Sequence, residues 1–362
     1  MDLIPGLPND IALECLIRLP VDQFSKAVSV CKRWKAHITL PGFRRRRKLS
    51  GLARPVLAMS QAMVANLKNP EDDTGLQSST QVYRLSVCDP ENGSWYDLPP
   101  IPELIDGLPR FCRIVGVGSD LVVIGGCDPD TWRVMDSVFV YSFISGSWRR
   151  GSDMPGQQRL FFGCASDSDG TIVVAGGHDD EKNALKSVLS YDVVKDEWGT
   201  LPDMFMERDE CKVVFHRGKF HVIGGYPTWK QGHFEKSAEV FDSATWQWVL
   251  EDDFLSEIKI CPNTCIEGDD GRLFMCQEGD VAVKDDATWR KLASLPAGIT
   301  SVAYLTVCQG KLILVGNGQF DELHSAYALD LRSDAGKLEK WTRIDTSDEY
   351  SGHVQYGCCL EI

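Results

Sequence analysis

A single spacing constrains how this chain can fold. Tryptophans at positions 95, 148, 198, 248, 289 and 341 follow one another at intervals of 53, 50, 50, 41 and 52 residues. A period of that length is the mark of a chain built from repeated supersecondary units, each burying its apolar face against the next. Glycine pairs fall between the tryptophans, at Gly125-Gly126, Gly176-Gly177 and Gly224-Gly225, and an aromatic stands seven residues ahead of three of them: Tyr141 before Trp148, Tyr191 before Trp198, Phe241 before Trp248. Each glycine pair closes a short run rich in β-formers, at 121–124, 171–175 and 220–223, which reads as a buried central strand. Another strand precedes each run, starting near Arg110, Arg159 or Arg208, and two follow, the last carrying the tryptophan. Each unit therefore holds four strands.

Four antiparallel strands in a unit of about 50 residues, with glycine pairs and aromatic markers, resemble the blade of a Kelch β-propeller. Glycine lets the chain turn with positive φ where blades crowd toward the axis, and the aromatics fill the wedge between neighbouring sheets. Residues 110–151, 159–201 and 208–250 are clean repeats. Residues 260–292 are shortened, with Gly271-Arg272-Leu273-Phe274-Met275-Cys276 replacing the glycine-pair strand, and 299–345 show through Leu312-Ile313-Leu314-Val315-Gly316 and Trp341. Residues 54–98 lack a first strand, and 353–362 have the first-strand pattern and then end. The expectation is an all-β six-bladed propeller over 51–362, its first blade closed by 353–362, which removes exposed sheet edges. The polar stretch 69–80 reads as a mobile loop of the first blade.

The first fifty residues differ in kind. Leu7-Pro8-Asn9-Asp10 reads as a helix start, and Ile11, Cys15, Leu16 and Leu19 follow at helical spacing until Pro20. A second amphipathic helix is expected from Phe24 to Trp34, with Pro41-Gly42 breaking the chain. So small a unit leans on a partner, because it covers too little apolar surface alone. The strings Leu7-Pro8-Asn9-Asp10-Ile11-Ala12-Leu13-Glu14-Cys15-Leu16-Ile17-Arg18-Leu19-Pro20 and Val30-Cys31-Lys32-Arg33-Trp34 resemble the F-box, an all-α module over residues 1–50 that docks on an SKP-type adaptor and through it a cullin. The resemblance implies that Leu7, Pro8, Leu16, Leu19, Pro20, Val30, Cys31 and Trp34 lie at or just beneath the adaptor-binding surface. Cys15 departs from the larger aliphatic common there.

Charge and motifs narrow the function. Residues 1–50 hold 10 Lys and Arg against 4 Asp and Glu, while the remainder holds 28 against 48, so the large part carries −20 and the small part +6, for a net charge of −14. An acidic bulk argues against nucleic-acid binding; the run Arg44-Arg45-Arg46-Arg47-Lys48 reads as a solvated end facing an acidic partner, or else a nuclear-import signal. Thirteen cysteines without a secretory signal read as free thiols, no Cys-x-x-Cys occurs, and no metal or other cofactor is expected. No apolar run is long enough to span a membrane. His178-Asp179-Asp180-Glu181 reads as solvated loop charge, the Glu-x-x-x-Asp-x-x-x-His iron motif of nitrile-specifier proteins is missing, and no Gly-x-Ser-x-Gly elbow appears, so no catalytic residue is expected.

Stretches such as Gly163-Cys164-Ala165-Ser166-Asp167-Ser168-Asp169, Glu207-Arg208-Asp209-Glu210-Cys211-Lys212 and Phe220-His221-Val222-Ile223-Gly224-Gly225-Tyr226 look like the plant F-box/Kelch subgroup that targets phenylalanine ammonia-lyase. Similar members target cytokinin response regulators. The resemblance implies a substrate-recognition subunit of an SKP–cullin–F-box ubiquitin ligase, cytoplasmic or nuclear, restraining phenylpropanoid synthesis. The alternatives are a Kelch scaffold without ubiquitin chemistry and a Kelch metalloenzyme. The loops after the glycine pairs, at 127–136, 178–186 and 226–236, are expected to converge on one face. Their Trp132, Tyr226, Trp229 and Phe234 are either target anchors or residues pinning each loop to its own blade.

Overall fold

Residues 2–64, 81–167, 169–255, 261–285, 288–319, 323–332 and 340–362 are described in a computed structural model. Their strands form six four-stranded antiparallel sheets. Blade 1 is β1 (Pro55–Ala62), β2 (Tyr83–Asp89) and β3 (Ser94–Asp97), with β24 (Val354–Glu361) innermost. Blade 2 runs from β4 (Arg113–Val117) to β7 (Ser147–Gly151), blade 3 from β8 (Gly163–Ser166) to β11 (Glu197–Leu201) and blade 4 from β12 (Lys212–His216) to β15 (Gln247–Glu251). Blade 5 runs from the two-residue β16 (Ile266–Glu267) to β19 (Thr288–Ser294), and blade 6 from β20 (Ser301–Cys308) to β23 (Thr342–Ile344). The expected six-bladed ring is the observed fold. The polar stretch 69–80 lies outside the described residues.

β24 pairs with β1 from Pro55 opposite Glu361 to Gln61 opposite Val354, and Arg54 N–H donates to the Ile362 carbonyl at 2.8 Å. The last strand of the chain is thus the inner strand of its first sheet. The glycine pairs sit where inner and second strands nearly touch. At Gly177, with φ +82°, an added Cβ would lie 2.4 Å from the Leu160 carbonyl oxygen, so only glycine fits.

The repeat tryptophans add an inter-blade bond to their packing. Trp148 Nε1 donates to the Pro99 carbonyl at 2.7 Å, Trp198 to Ser152 at 2.8 Å, Trp248 to Pro202 at 2.7 Å, Trp289 to Phe254 at 2.7 Å and Trp341 to Ser294 at 2.8 Å. Each indole thereby ties its blade to the one before it. Trp95 stands at the ring seam; it stacks on Tyr350 at 5.4 Å and its buried Nε1 has no acceptor among the described residues.

The arginines near the first strands are not all equivalent. Isolated bridges join Arg110 to Cys127, Leu160 to His178 and Asp209 to Tyr226, so Arg159 and Arg208 share a position that Pro109 fills in blade 2, and Arg110 lies one residue further on. Arg208 is fully buried, donating to the Gly224 carbonyl at 2.7 Å and to Glu239 Oε1 at 3.0 Å. Arg159 likewise donates to the carbonyls of Gly176 and Ser187.

The N-terminal unit has four helices, α1 (Asn9–Ile17), α2 (Phe24–Val30), α3 (Lys32–Ile38) and α4 (Pro41–Leu49). Three expectations need correction. The helix from Phe24 to Trp34 is broken at Cys31, whose extended backbone (φ −161°, ψ 159°) starts α3 and whose Sγ accepts the Trp34 N–H at 3.4 Å. Pro41-Gly42 begins a helix rather than interrupting the chain, since proline's missing N–H costs nothing in a first turn. The apolar face of α1 is also rotated from expectation: Ala12, Leu16 and Ile17 are buried, while Ile11 and Cys15 face outward. The core of this unit, with Phe24 on Phe43 at 6.0 Å, continues into Phe143, Ile144, Leu360 and Ile362 of blades 1 and 2.

Candidate partner-binding surfaces

The two ends of the ring carry different things. At the lower end, where inner strands turn into second strands, α4 lies against the propeller: Arg44 reaches Asp169 at 3.4 Å and Lys48 reaches Glu361 at 2.5 Å. Arg47 is buried, stacked on Phe24 at 4.8 Å and donating to the carbonyls of Ile17, Leu19 and Leu52, so it ties down the C-terminal end of α1. The acidic partner of this basic run includes the chain's own propeller.

The lower unit presents Pro8, Ile11, Cys15, Pro20, Val30 and Cys31 to solvent, with Ile11 at 49% and Val30 at 62% exposure. Leu7, Leu19 and Trp34 are half-buried and pack against the core; Leu16, at 1% exposure, belongs to the layer beneath. The Trp34 indole donates to the Leu3 carbonyl at 2.9 Å, fixing the segment that leads into Leu7-Pro8. Ile11 was missed as a surface residue; its only sequence signal is the i, i+4 pairing with Cys15 on the outer side of α1.

The loops after the glycine pairs lie together at the opposite end. Ala184 N–H donates to Thr228 Oγ1 at 2.8 Å across two of them, and Phe111 and Phe161, both with positive φ, meet at 4.9 Å between their blades. Trp132 is 57% exposed, with the Arg110 guanidinium 5.0 Å from its ring, and Trp229 is 76% exposed, with Lys230 Nζ at 4.6 Å. Tyr226 is different: it is buried, and its hydroxyl donates to Glu210 Oε1 at 2.8 Å. Burial and this bond, together with the carboxylates of Asp209 and Glu210, raise its pKa far above the usual tyrosine range. Phe234 packs edge-on against it at 5.4 Å. The anchor reading therefore fits Trp132 and Trp229, while Tyr226 and Phe234 pin their loop. Phe205, 63% exposed beside buried Met204, joins the same end, its N–H held by Glu239 at 2.6 Å; an apolar Met-Phe-Met run between strands was the overlooked signal.

His178 is not solvated. Its Nδ1 lies 2.8 Å from Asp209 Oδ2 and its Nε2 accepts from Lys182 Nζ at 3.0 Å, so the ring braces the loop. Among the described residues no group of three or more His, Cys, Asp or Glu is arranged to hold a metal ion, and no helix is long and apolar enough to cross a membrane. Burial pushes the thiols of Cys112, Cys164 and Cys265 up to about 12, so these groups stay protonated at neutral pH and act as small apolar residues.

Comparison with known proteins agrees with this arrangement. The F-box domain model matches residues 4–46 and the Kelch motif model matches 109–155 and 163–205. The chain is similar to the F-box/kelch-repeat proteins At1g80440 and At1g15670 of Arabidopsis thaliana, each 47% identical over the whole of both chains. Among solved structures, that of YjhT superposes with a TM-score of 0.57 at 14% identity, over 74% of this chain and 93% of the other, a likeness of fold alone.

Proposed function

Because the chain belongs to the F-box/kelch-repeat family, we propose that it is the substrate-recognition subunit of an SKP–cullin–F-box ubiquitin ligase whose target is phenylalanine ammonia-lyase. In that role it marks the entry enzyme of phenylpropanoid synthesis for degradation, in the cytoplasm or nucleus. The observation that carries the reading is the placement of two partly apolar surfaces at opposite ends of one continuous body. Pro8, Ile11, Pro20 and Val30 stand at the F-box end and Trp132, Trp229 and Phe205 at the other. An adaptor and a target can then be held at once without competing for surface. Leu7, Leu16, Leu19, Cys31 and Trp34 support or border the adaptor face. The protein itself contributes no catalytic group; it positions the target for transfer carried out elsewhere in the ligase.

The test is reconstitution. The intact chain with adaptor and cullin is expected to ubiquitinate phenylalanine ammonia-lyase. Alanine replacement of Leu7-Pro8 and Leu19-Pro20 together should remove adaptor binding, with typical anchor losses of about 2 kcal/mol or more each. Adaptor binding unchanged in that variant would overturn the F-box role. Adaptor binding with no modification of the lyase, and modification of a cytokinin response regulator instead, would move the target and leave the ligase reading in place.

A further inference from the structure

The inner strands enclose a central channel containing a cavity of about 720 Å³. Arg44, Arg45 and Lys48 of α4 line it below, and it rises past Ser166 and Thr306 to Cys164, Tyr304 and Lys212. At the lower mouth the carboxylates are engaged: Asp169 by Arg44, Glu361 by Lys48, Glu267 by His216 at 2.9 Å, and Asp269 by the Gly310 N–H at 2.8 Å. Higher up this matching ends.

Arg113, Gly163 and Lys212 hold one register position on three successive inner strands, opposite Ile124, Ala175 and Ile223, the residues just before the glycine pairs. Glycine in the middle strand lets blade 3 pack closely on blade 4, where an added Cβ would meet Val213 Cγ2 at 2.7 Å, so no third charged side chain stands at that level. Lys212 makes no hydrogen bond or ion pair among the described residues. Arg113 stacks on Tyr356 at 3.9 Å and lies 5.9 Å from Phe162, and its buried Nε has no acceptor among the described residues. Glu210 shares this neighbourhood, acting with Arg113 on Tyr356, and its carboxylate accepts the Tyr226 hydroxyl at 2.8 Å. Burial first, then the charge of Arg113, pushes the Lys212 ammonium down to about 8. Cations withdrawn from water without a counter-ion are costly, and an entering anion relieves that cost.

We propose that the channel is a binding site for a small organic anion, its carboxylate or phosphate held at Lys212, which lines the cavity, with the charge of Arg113 acting on the same level. The ammonium offers the anion a point charge, and the guanidinium stacked on Tyr356 adds positive potential. The walls below, including Val213, Leu305 and Val307, suit an apolar body, and the volume falls within the roughly 300–1,000 Å³ of small-ligand sites. The site is independent of which protein the upper face recognises.

Calorimetric titration of the intact chain in complex with its adaptor tests this, using benzoate as a carboxylate on an apolar body and inorganic phosphate as the bare anion. Binding of benzoate alone identifies a carboxylate site, and binding of phosphate alone a phosphate site. Lys212→Met and Arg113→Gln should each weaken binding at least about tenfold, whereas Arg45→Gln at the lower mouth should leave it unchanged. Without ligand, Lys212→Met should melt at or above the parent temperature, because it removes an unpaired charge. No heat with either probe, or binding unaltered in both channel variants, would overturn the proposal.

Discussion

Arg159 and Arg208 occupy the same place beneath successive glycine pairs, but only Arg208 has a carboxylate beside it. Glu239 accepts from Arg208 Nε and from the N–H groups of Phe205 and Met206, all within the protein. The corresponding residue of blade 3 is Leu189, and burial pushes the Arg159 guanidinium down to about 10. Arg208→Met should therefore cost about 3–5 kcal/mol, because it strands a buried charge. Arg159→Met strands only neutral acceptors and should cost about 1–3 kcal/mol. Urea unfolding of the two variants gives the comparison, and equal losses would show that the carboxylate is irrelevant. The slip by which Arg110 looked equivalent has a simple cause: the spacing from arginine to glycine pair is 15, 17 and 16 residues in the three units, so spacing does not align them and only strand pairing does. At the upper face, Trp132 and Trp229 each have a cation over one ring face and remain exposed. Alanine at both should lower target affinity at least about tenfold, or about 1.4 kcal/mol, with melting temperature unchanged. A lower melting temperature with unchanged affinity per folded molecule would make them packing residues.

β24 is the element on which ring closure depends, and a histidine guards its first residue. The Val354 N–H donates to His324 Nδ1 at 3.2 Å, and His353 stands 5.0 Å from the same ring. Burial, then the neighbouring His353, pushes His324 down to about 4; burial also pushes His221, at the blade 4–5 boundary, down to about 4. Unfolded histidine takes up a proton near 6.5, so between about 6.5 and 4 the unfolded state binds more protons than the folded one. Stability is then full above that window and falls as pH drops through it, by on the order of 3 kcal/mol for each buried ring. Melting curves from pH 7 to 4.5 should show this decline, and His324→Asn should flatten part of it; a flat profile in the parent protein would refute the account. Deleting 353–362 should cost more, since it leaves β1 with an unpaired edge. The closing strand was legible because residues 353–362 repeat the first-strand pattern that 54–98 lack. The split between α2 and α3 was not, because Cys31 keeps helical apolar spacing while its backbone leaves the helix, and side-chain pattern alone does not report φ and ψ.

The whole molecule is more continuous than its two sequence signatures suggest. Composition changes sharply near residue 50, from a basic helical segment to an acidic repeat, and a linker between independent modules would give the same pattern. The packing says otherwise. Phe24 and Phe43 share one apolar cluster with Phe143, Ile144, Leu360 and Ile362, and α4 adds the ion pairs from Arg44 to Asp169 and from Lys48 to Glu361. Such a joint is invisible to periodicity because it is made once, between residues that belong to no repeat. It also lies next to the closing strand, since Leu360 and Ile362 are at its end. A propeller lacking residues 1–50 should thus expose this cluster at about 1.5–3 kcal/mol for each side chain fully uncovered, and loosen β24 from the same side. The expected outcome is a lower melting temperature and concentration-dependent aggregation of 51–362 relative to the full chain, while Val30→Ala, at an exposed F-box residue, melts close to the parent. Light scattering and calorimetry on the three proteins decide it. Should 51–362 melt like the intact chain and stay monomeric, the two domains are energetically separate and the shared cluster contributes nothing to the ring.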